Sequence, residues 1–191
     1  MLHNYNIYYF ISEFNSAELK ILDPNINIIY RNYSGKENFT TVQKLSNFCK
    51  LNQRKLYIAN NFKWAFKLKA DGLYLPSFNR KLTYKNLNIT KKFRIIGSAH
   101  NLIDIKIKEL QGCQEIFLAP IFYNSKNKKY LGIVKFSYFS LKTKIQIVAL
   151  GGINKTNYNK LRQVNISGFA AISWIKKNRP NKLGRFKIFS K

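Results

Sequence analysis

Cysteine is scarce in this chain, and acidic side chains are rare as well. Its only two cysteines, Cys49 and Cys113, carry no CxxC or Cys/His spacing around them. That argues against a disulfide framework or a zinc site and leaves a pair of buried thiols as the expectation. Long apolar runs are also missing. The longest, Ile7 to Ile11 and Ile145 to Leu150, are of strand length and far short of a membrane span. No segment is low-complexity, and the start, Met1-Leu2-His3-Asn4, lacks a basic region followed by an apolar core and a small-residue cleavage site. A mature, cytoplasmic chain without membrane attachment is the expectation.

Basic residues are abundant. Lys and Arg total 34 against 8 acids, a formal net charge of +26 over 191 residues. Such charge is compatible with nucleic acid or with small anionic substrates. The lysines, however, are scattered singly rather than gathered into an arm or one helix face, and Asn and Ile are used as heavily beside them. Small phosphorylated substrates are therefore the expected partners rather than nucleic acid. Assembly into a homo-oligomer stays open.

Short β-branched or aromatic runs alternate with segments of helical period, the pattern of repeated βα units and a parallel sheet. Strands are predicted at Ile7–Ile11, Ile26–Tyr30, Leu56–Ala59, Gly72–Leu75, Phe93–Ile96, Glu115–Leu118, Gln146–Leu150 and Gly168–Ile172. Helices are predicted at Ser16–Leu22 with Ser16 as N-cap, Thr40–Lys50, Phe62–Leu68, Leu102–Leu110, Val134–Leu141 and Asn157–Val164. Val42, Leu45, Phe48 and Cys49 form the buried face of the second helix; Ile103, Ile107 and Leu110 form that of the fourth, which Gly112 ends. Eight strands with helical crossovers and no internal linker predict a single α/β domain spanning 1–191, a (β/α)8 TIM barrel with short helices.

Reactive groups of such barrels gather at the carboxyl ends of the strands. Those ends carry Ser12-Glu13, Arg31-Asn32-Tyr33, Asn60-Asn61, Pro76 to Asn79, Ser98-Ala99-His100, Pro120 to Lys129, Gly151-Gly152 and Ile172-Ser173. Gly151-Gly152, after strand seven and just before a helix, lets backbone N–H groups approach an anion, where this fold commonly holds phosphate. A plain glycine turn reads the same way in isolation.

Several of these runs resemble the thiamine phosphate synthases and their relative, the thiazole tautomerase TenI. Gln146 to Asn154 and Gly168 to Ser173 resemble the end of those proteins; Leu118-Ala119-Pro120-Ile121-Phe122, Leu131-Gly132, Ser98-Ala99-His100 and Ala70 to Leu75 resemble upstream motifs. The likeness spans about 54–175. The tautomerase's strand-six histidine is replaced by Pro120, which favours the synthase branch. That family couples hydroxymethylpyrimidine diphosphate to a thiazole phosphate carboxylate, releasing pyrophosphate and carbon dioxide.

By resemblance, Arg31 and Ser98 are the catalytic residues that grip the diphosphate, while Gly151, Gly152 and the backbone of Ile172 and Ser173 hold the thiazole phosphate. Tyr33, Asn60, Asn124, Lys126 and Lys128 are further substrate-binding candidates; Tyr33 either donates to a phosphate or fills the barrel mouth. The family's magnesium is expected near Asn61 and Asn79, which stand where the family has aspartates. An amide is a poorer ligand than a carboxylate for a hard dication, so weak Mg2+ binding is expected. The added lysines of the strand-six loop offset part of that lost charge, and Glu13 is either a substitute ligand or simply solvated. His100 reads as a hydrogen-bonded structural residue, with proton transfer as the alternative.

Overall fold

In the computed structural model, described for residues 5–34, 38–86, 90, 92–125 and 129–177, eight parallel strands close on themselves in sequence order. They are β1 (Asn6–Ile11), β2 (Asn27–Tyr30), β3 (Leu56–Ala59), β4 (Gly72–Leu75), β5 (Arg94–Ala99), β6 (Glu115–Leu118), β7 (Gln146–Leu150) and β8 (Gly168–Ala170). Closure is made where Asn6, Ile7 and Tyr8 of β1 pair with Gly168, Phe169 and Ala170 of β8. Around the barrel lie α1 (Ser16–Ile21), α2 (Phe39–Leu51), α3 (Phe62–Lys67), α4 (Leu102–Leu110), α5 (Gly132–Ser140) and α6 (Ile172–Lys177). The expected (β/α)8 barrel with short helices is the fold observed. No helix among the described residues is long and apolar enough to cross a membrane.

Period-two alternation divides the core into two layers. Between strands and helices lies the larger, including Val42, Leu45, Phe48 and Cys49 on the expected face of α2. Both cysteines are free and buried, as expected. Inside the barrel, Tyr8, Phe10, Ile29, Tyr57, Ala59, Tyr74, Ile96, Phe117, Val148 and Ala170 fill the lumen. Its rings meet edge to face, Tyr8 with Phe117 at 4.9 Å, Phe10 with Tyr74 at 5.3 Å and Tyr74 with Phe117 at 5.7 Å between centroids, the geometry the ring quadrupoles favour.

Five sequence expectations are corrected. The N-cap of α1 is Asn15, not Ser16, because the Asn15 carboxamide accepts from Glu18 N at 3.0 Å. β5 runs on to Ala99, since β6 pairs with it through Ala99–Leu118, so Ser98 is a buried strand residue. β8 stops at Ala170, the partner of Leu150, where the Gly151-Gly152 turn removes the next rung; Ile172 and Ser173 open α6 instead. The segment after β7 is a 3-10 helix, Tyr158–Gln163, rather than the α-helix Asn157–Val164. Its steeper rise lets six residues cover roughly 12 Å of the return path.

The fifth correction concerns α4. Ile103 and Leu110 face solvent, at 67% and 43% exposure, while Asp104, Ile105 and Lys108 are buried. Gly97 of β5 explains the rotation: a Cβ there would lie 2.7 Å from Lys108 Cδ, so the missing side chain makes the groove through which the lysine stem passes. A positive φ of 76° at Gly112 then closes the helix, its N–H donating to Glu109 O at 3.0 Å and Cys113 N–H to Lys108 O at 3.1 Å.

Two cations hold the amino-terminal end of the barrel and its flank. Arg94 pairs with the fully buried Glu115 at 2.9 Å, and the Tyr8 hydroxyl donates to the other carboxylate oxygen. Arg54, 7% exposed, donates to the carbonyls of Leu19 (3.1 Å), Leu22 (2.6 Å), Asp23 (2.5 Å) and Ile26 (3.5 Å), closing the end of α1 and the turn into β2. Hydrogen bonds from a charged donor are individually strong, and losing this one strands several buried acceptors. We expect Arg54→Met to lower unfolding stability by about 2–4 kcal/mol, read from the urea midpoint at unchanged slope. A loss under about 1 kcal/mol would show that the carbonyls are satisfied without it.

Candidate functional site

Every strand of a parallel barrel points the same way, so the residues following β1 to β8 converge on one rim. Arg31 follows β2 and is half-buried, anchored through its own N–H to Ile11 O at 2.8 Å. Its guanidinium lies over the Phe10 ring at 4.4 Å and the Tyr33 ring at 5.5 Å, a cation–π clamp that keeps the charge in the mouth. Tyr33 is 54% exposed and meets Phe78 edge to face at 5.4 Å.

Beneath Arg31 sits Tyr74 of β4, whose side chain is buried in the lumen. Burial raises the pKa of its phenol, while Arg31 and Ser98 act on the hydroxyl in the opposite sense. The phenol stays neutral, and its ring meets edge to face the Phe10 ring that carries Arg31. Sequence reading gave Tyr74 no role in the site. Its signal was a tyrosine at the inward position of β4, two residues before Pro76.

The rim over β3 and β4 is a hydrogen-bonded network. Asn60 holds a left-handed φ of 56°, and its side-chain oxygen accepts from Asn79 Nδ2 at 2.8 Å. Asn79 Oδ1 accepts from Lys81 N at 3.0 Å. Asn61 does not join them, because its Oδ1 caps α3 by accepting from Trp64 N at 3.1 Å. Below the network lies the Lys108 ammonium, fully buried, donating to Pro76 O, Asn79 O and Gln111 Oε1, each at 2.8 Å. Burial pushes its pKa down to about 8, Asp104 and Cys113 oppose that shift, and Arg80 adds to it; at neutral pH most of it is charged.

These donors do not fit a hard dication. Magnesium favours carboxylate and water oxygens in a near-octahedral shell. The two expected ligands are amides whose oxygens already accept backbone N–H groups, and an ammonium lies 2.8 Å from the Asn79 carbonyl. Glu13 is exposed, and no group of three or more His, Cys, Asp or Glu among the described residues is placed to hold a metal ion.

On the rim over β6 and β7 the glycines answer to protein neighbours. Gly151 and Gly152 have φ of 96° and 72°. A Cβ on Gly151 would lie 2.6 Å from Pro120 Cβ, and one on Gly152 would collide with the carbonyls of Phe122 and Tyr123. The turn is thus pressed against the β6 loop, tied by Ile121 N to Leu150 O at 2.9 Å and Phe122 N to Gly151 O at 3.1 Å. Asn124 lies beside Gly151, and Asn157 Nδ2 donates to Gly152 O at 2.8 Å. Ile172 is half-buried against the lumen at the start of α6, whose backbone includes Ser173. Lys126 and Lys128 lie outside the described residues.

His100 Nδ1 is 2.8 Å from Ala119 O, so that nitrogen carries the proton and donates. The ring also lines a cavity of about 400 Å³ with Ala119, Pro120, Lys129, Tyr130, Leu131 and Lys135. Lys129 and Lys135 thereby join the basic groups of this rim. Lys135 was not singled out in the sequence, since a lone lysine on a helix usually marks a solvated face.

A (β/α)8 barrel whose polar groups converge on the carboxyl rim of its strands is the class that fold and site define. Residues 19–175 match the family described as thiamine monophosphate synthase, and the chain belongs to that family. It is 33% identical over 142 residues to a thiamine-phosphate synthase of Prochlorococcus marinus, covering 70% of this chain and 39% of that one. With a Flavobacterium johnsoniae thiamine-phosphate synthase it shares 24% identity over 196 residues, covering 94% and 92%. The structure of a thiamine phosphate pyrophosphorylase from Pyrococcus furiosus superposes with a TM-score of 0.72 at 18% identity, covering 92% of each chain, a likeness of fold. The chain spans less than half the length of the Prochlorococcus relatives.

A side chain at position 152 meets both strain and collision. We expect Gly152→Ala to cost about 2 kcal/mol or more of stability, measured by denaturant unfolding. Unchanged stability would mean that the β6 and β7 loops can separate freely.

Proposed function

We propose that the chain couples hydroxymethylpyrimidine diphosphate to a thiazole phosphate carboxylate, leaving thiamine phosphate, pyrophosphate and carbon dioxide. The observation that carries this reading is the Arg31 guanidinium held at the barrel mouth, 4.4 Å from the centre of the Phe10 ring and 5.5 Å from that of Tyr33. In the coupling, the bond from the benzylic-type carbon to the diphosphate oxygen breaks and its electrons leave with the diphosphate. The same carbon bonds to the thiazole ring nitrogen, the carboxylate departs as carbon dioxide, and the electron pair it leaves on the ring carbon takes up a proton from water. Charge builds on the leaving group, and a guanidinium held in place by Phe10 and Tyr33 can meet it without reorganising. Ser98, buried in β5, is assigned as a further hydroxyl donor to the same leaving group. The Gly151-Gly152 turn and the first amides of α6 are assigned to the thiazole phosphate, with Asn124 at their edge.

A second reading, a family member that binds these phosphates without turnover, is favoured by one observation. Both positions of the family's aspartates hold amides already engaged by backbone N–H groups.

Purified protein incubated with both substrates, with product followed by chromatography, decides between the two. We expect thiamine phosphate to form, and Arg31→Ala to lower kcat/KM by about 100-fold or more. Binding of both substrates without product would establish the second reading, and a variant as active as the parent would remove Arg31 from the mechanism.

A further inference from the structure

We propose that the ammonium of Lys108 is the cation that orders the carboxyl ends of β3 and β4, and that these ends bind no divalent metal. A residue whose three donors all end on oxygens, with none reaching solvent, is coordinated much as a small metal ion is. Two of the oxygens, Pro76 O and Asn79 O, belong to the loop after β4. The third, Gln111 Oε1, comes from the end of α4, and Gln111 spends its own amide on the same loop, donating to Asn79 O at 2.9 Å and Lys81 O at 2.8 Å. Asn79 passes the constraint on to Asn60 at the end of β3. One buried cation therefore fixes two adjacent rim segments from below.

This arrangement also closes the site to a second cation. A dication at Asn79 would share that residue with an ammonium, and like charges in a poorly solvated region repel strongly. It would also have to strip Oδ1 from Lys81 N and, on the neighbouring end, the Asn61 oxygen from Trp64 N. Gly97 shows that the lysine is built into the fold, since any side chain at that position would occupy the path of its stem. Lys108 is thus a positioning residue: it touches the loop and not a substrate. The consequence for catalysis, a diphosphate met by Arg31 and hydrogen-bond donors without magnesium, rests on the reading in the preceding subsection. The statement about the cation does not.

Two measurements test the proposal. The first is amide hydrogen exchange of residues 76–82 in the wild-type chain with and without millimolar Mg2+, and in Lys108→Met. Protection indifferent to Mg2+ is expected, with a loss of at least about tenfold in the variant while the strands stay protected. Mg2+-dependent protection in the wild type, or full protection in the variant, overturns the proposal. Should Lys108→Met fail to fold, Lys108→Gln, which keeps a polar stem in the Gly97 groove and leaves Gln111 in place but removes the ammonium, is read in its place, with the same loss expected and full protection again overturning it.

The second is calorimetric titration with inorganic pyrophosphate, with Mg2+ or with a chelator. Affinities equal within about threefold support a metal-free site, and binding tenfold or more tighter with Mg2+ that is lost in Asn79→Ala overturns it. No pyrophosphate binding in either condition removes the diphosphate reading alone, and hydrogen exchange then still decides the role of Lys108.

Discussion

An eight-stranded barrel encloses a space that only its own side chains can fill. Here the strands are three to six residues long, so each sends just one to three side chains inward. Branched aliphatics usually fill such a lumen, but this one is filled by Tyr8, Phe10, Tyr57, Tyr74 and Phe117 among smaller residues. Each buried ring contributes about 1.5–3 kcal/mol through its area, and the edge-to-face contacts add about 0.5–1.5 kcal/mol per pair. Two of these rings then shape the site. Phe10 carries the Arg31 guanidinium, and Tyr74 packs edge to face on Phe10. Packing and site are, at the mouth, the same side chains.

The strands were readable because a parallel barrel buries both faces of each one, which leaves continuous apolar runs between polar breaks. β3, β4, β6 and β7 have the expected bounds, and Val42, Leu45, Phe48 and Cys49 mark the buried face of α2. The α4 face was not readable. Periodicity scores apolar residues, and the buried face here carries Asp104, which accepts from His100 N just ahead of the helix, and Lys108, whose partners Pro76 O and Asn79 O are distant in sequence. No pattern within a helix reports a groove cut by a glycine on a strand.

The candidate site divides similarly. The positions of Arg31, Ser98 and the paired glycines could be read because each follows or ends a strand in order. What the glycines do locally could not. They admit the β6 loop, whose Phe122 and Tyr123 carbonyls occupy the space a side chain would take, and any approach of an anion is additional to that packing. The place of Tyr74 against Phe10 was hidden because inward and outward positions of a four-residue strand look alike in an apolar run.

The scarcity of acids gives these features a common cause. With 8 carboxylates to 34 Lys and Arg, the fold cannot neutralise each buried cation with a counter-ion. Arg94 finds one in Glu115. Arg54 and Lys108 are instead solvated largely by backbone carbonyls, at the end of α1 and in the loop after β4. Carbonyl oxygens carry only partial charge, so such sites are tolerable where turns and helix ends already leave acceptors unpaired. Both cations sit at such places. The same scarcity leaves no group of three or more His, Cys, Asp or Glu placed for a dication among the described residues, and an ammonium that brings its own charge on a covalent stem organises that rim from within the chain.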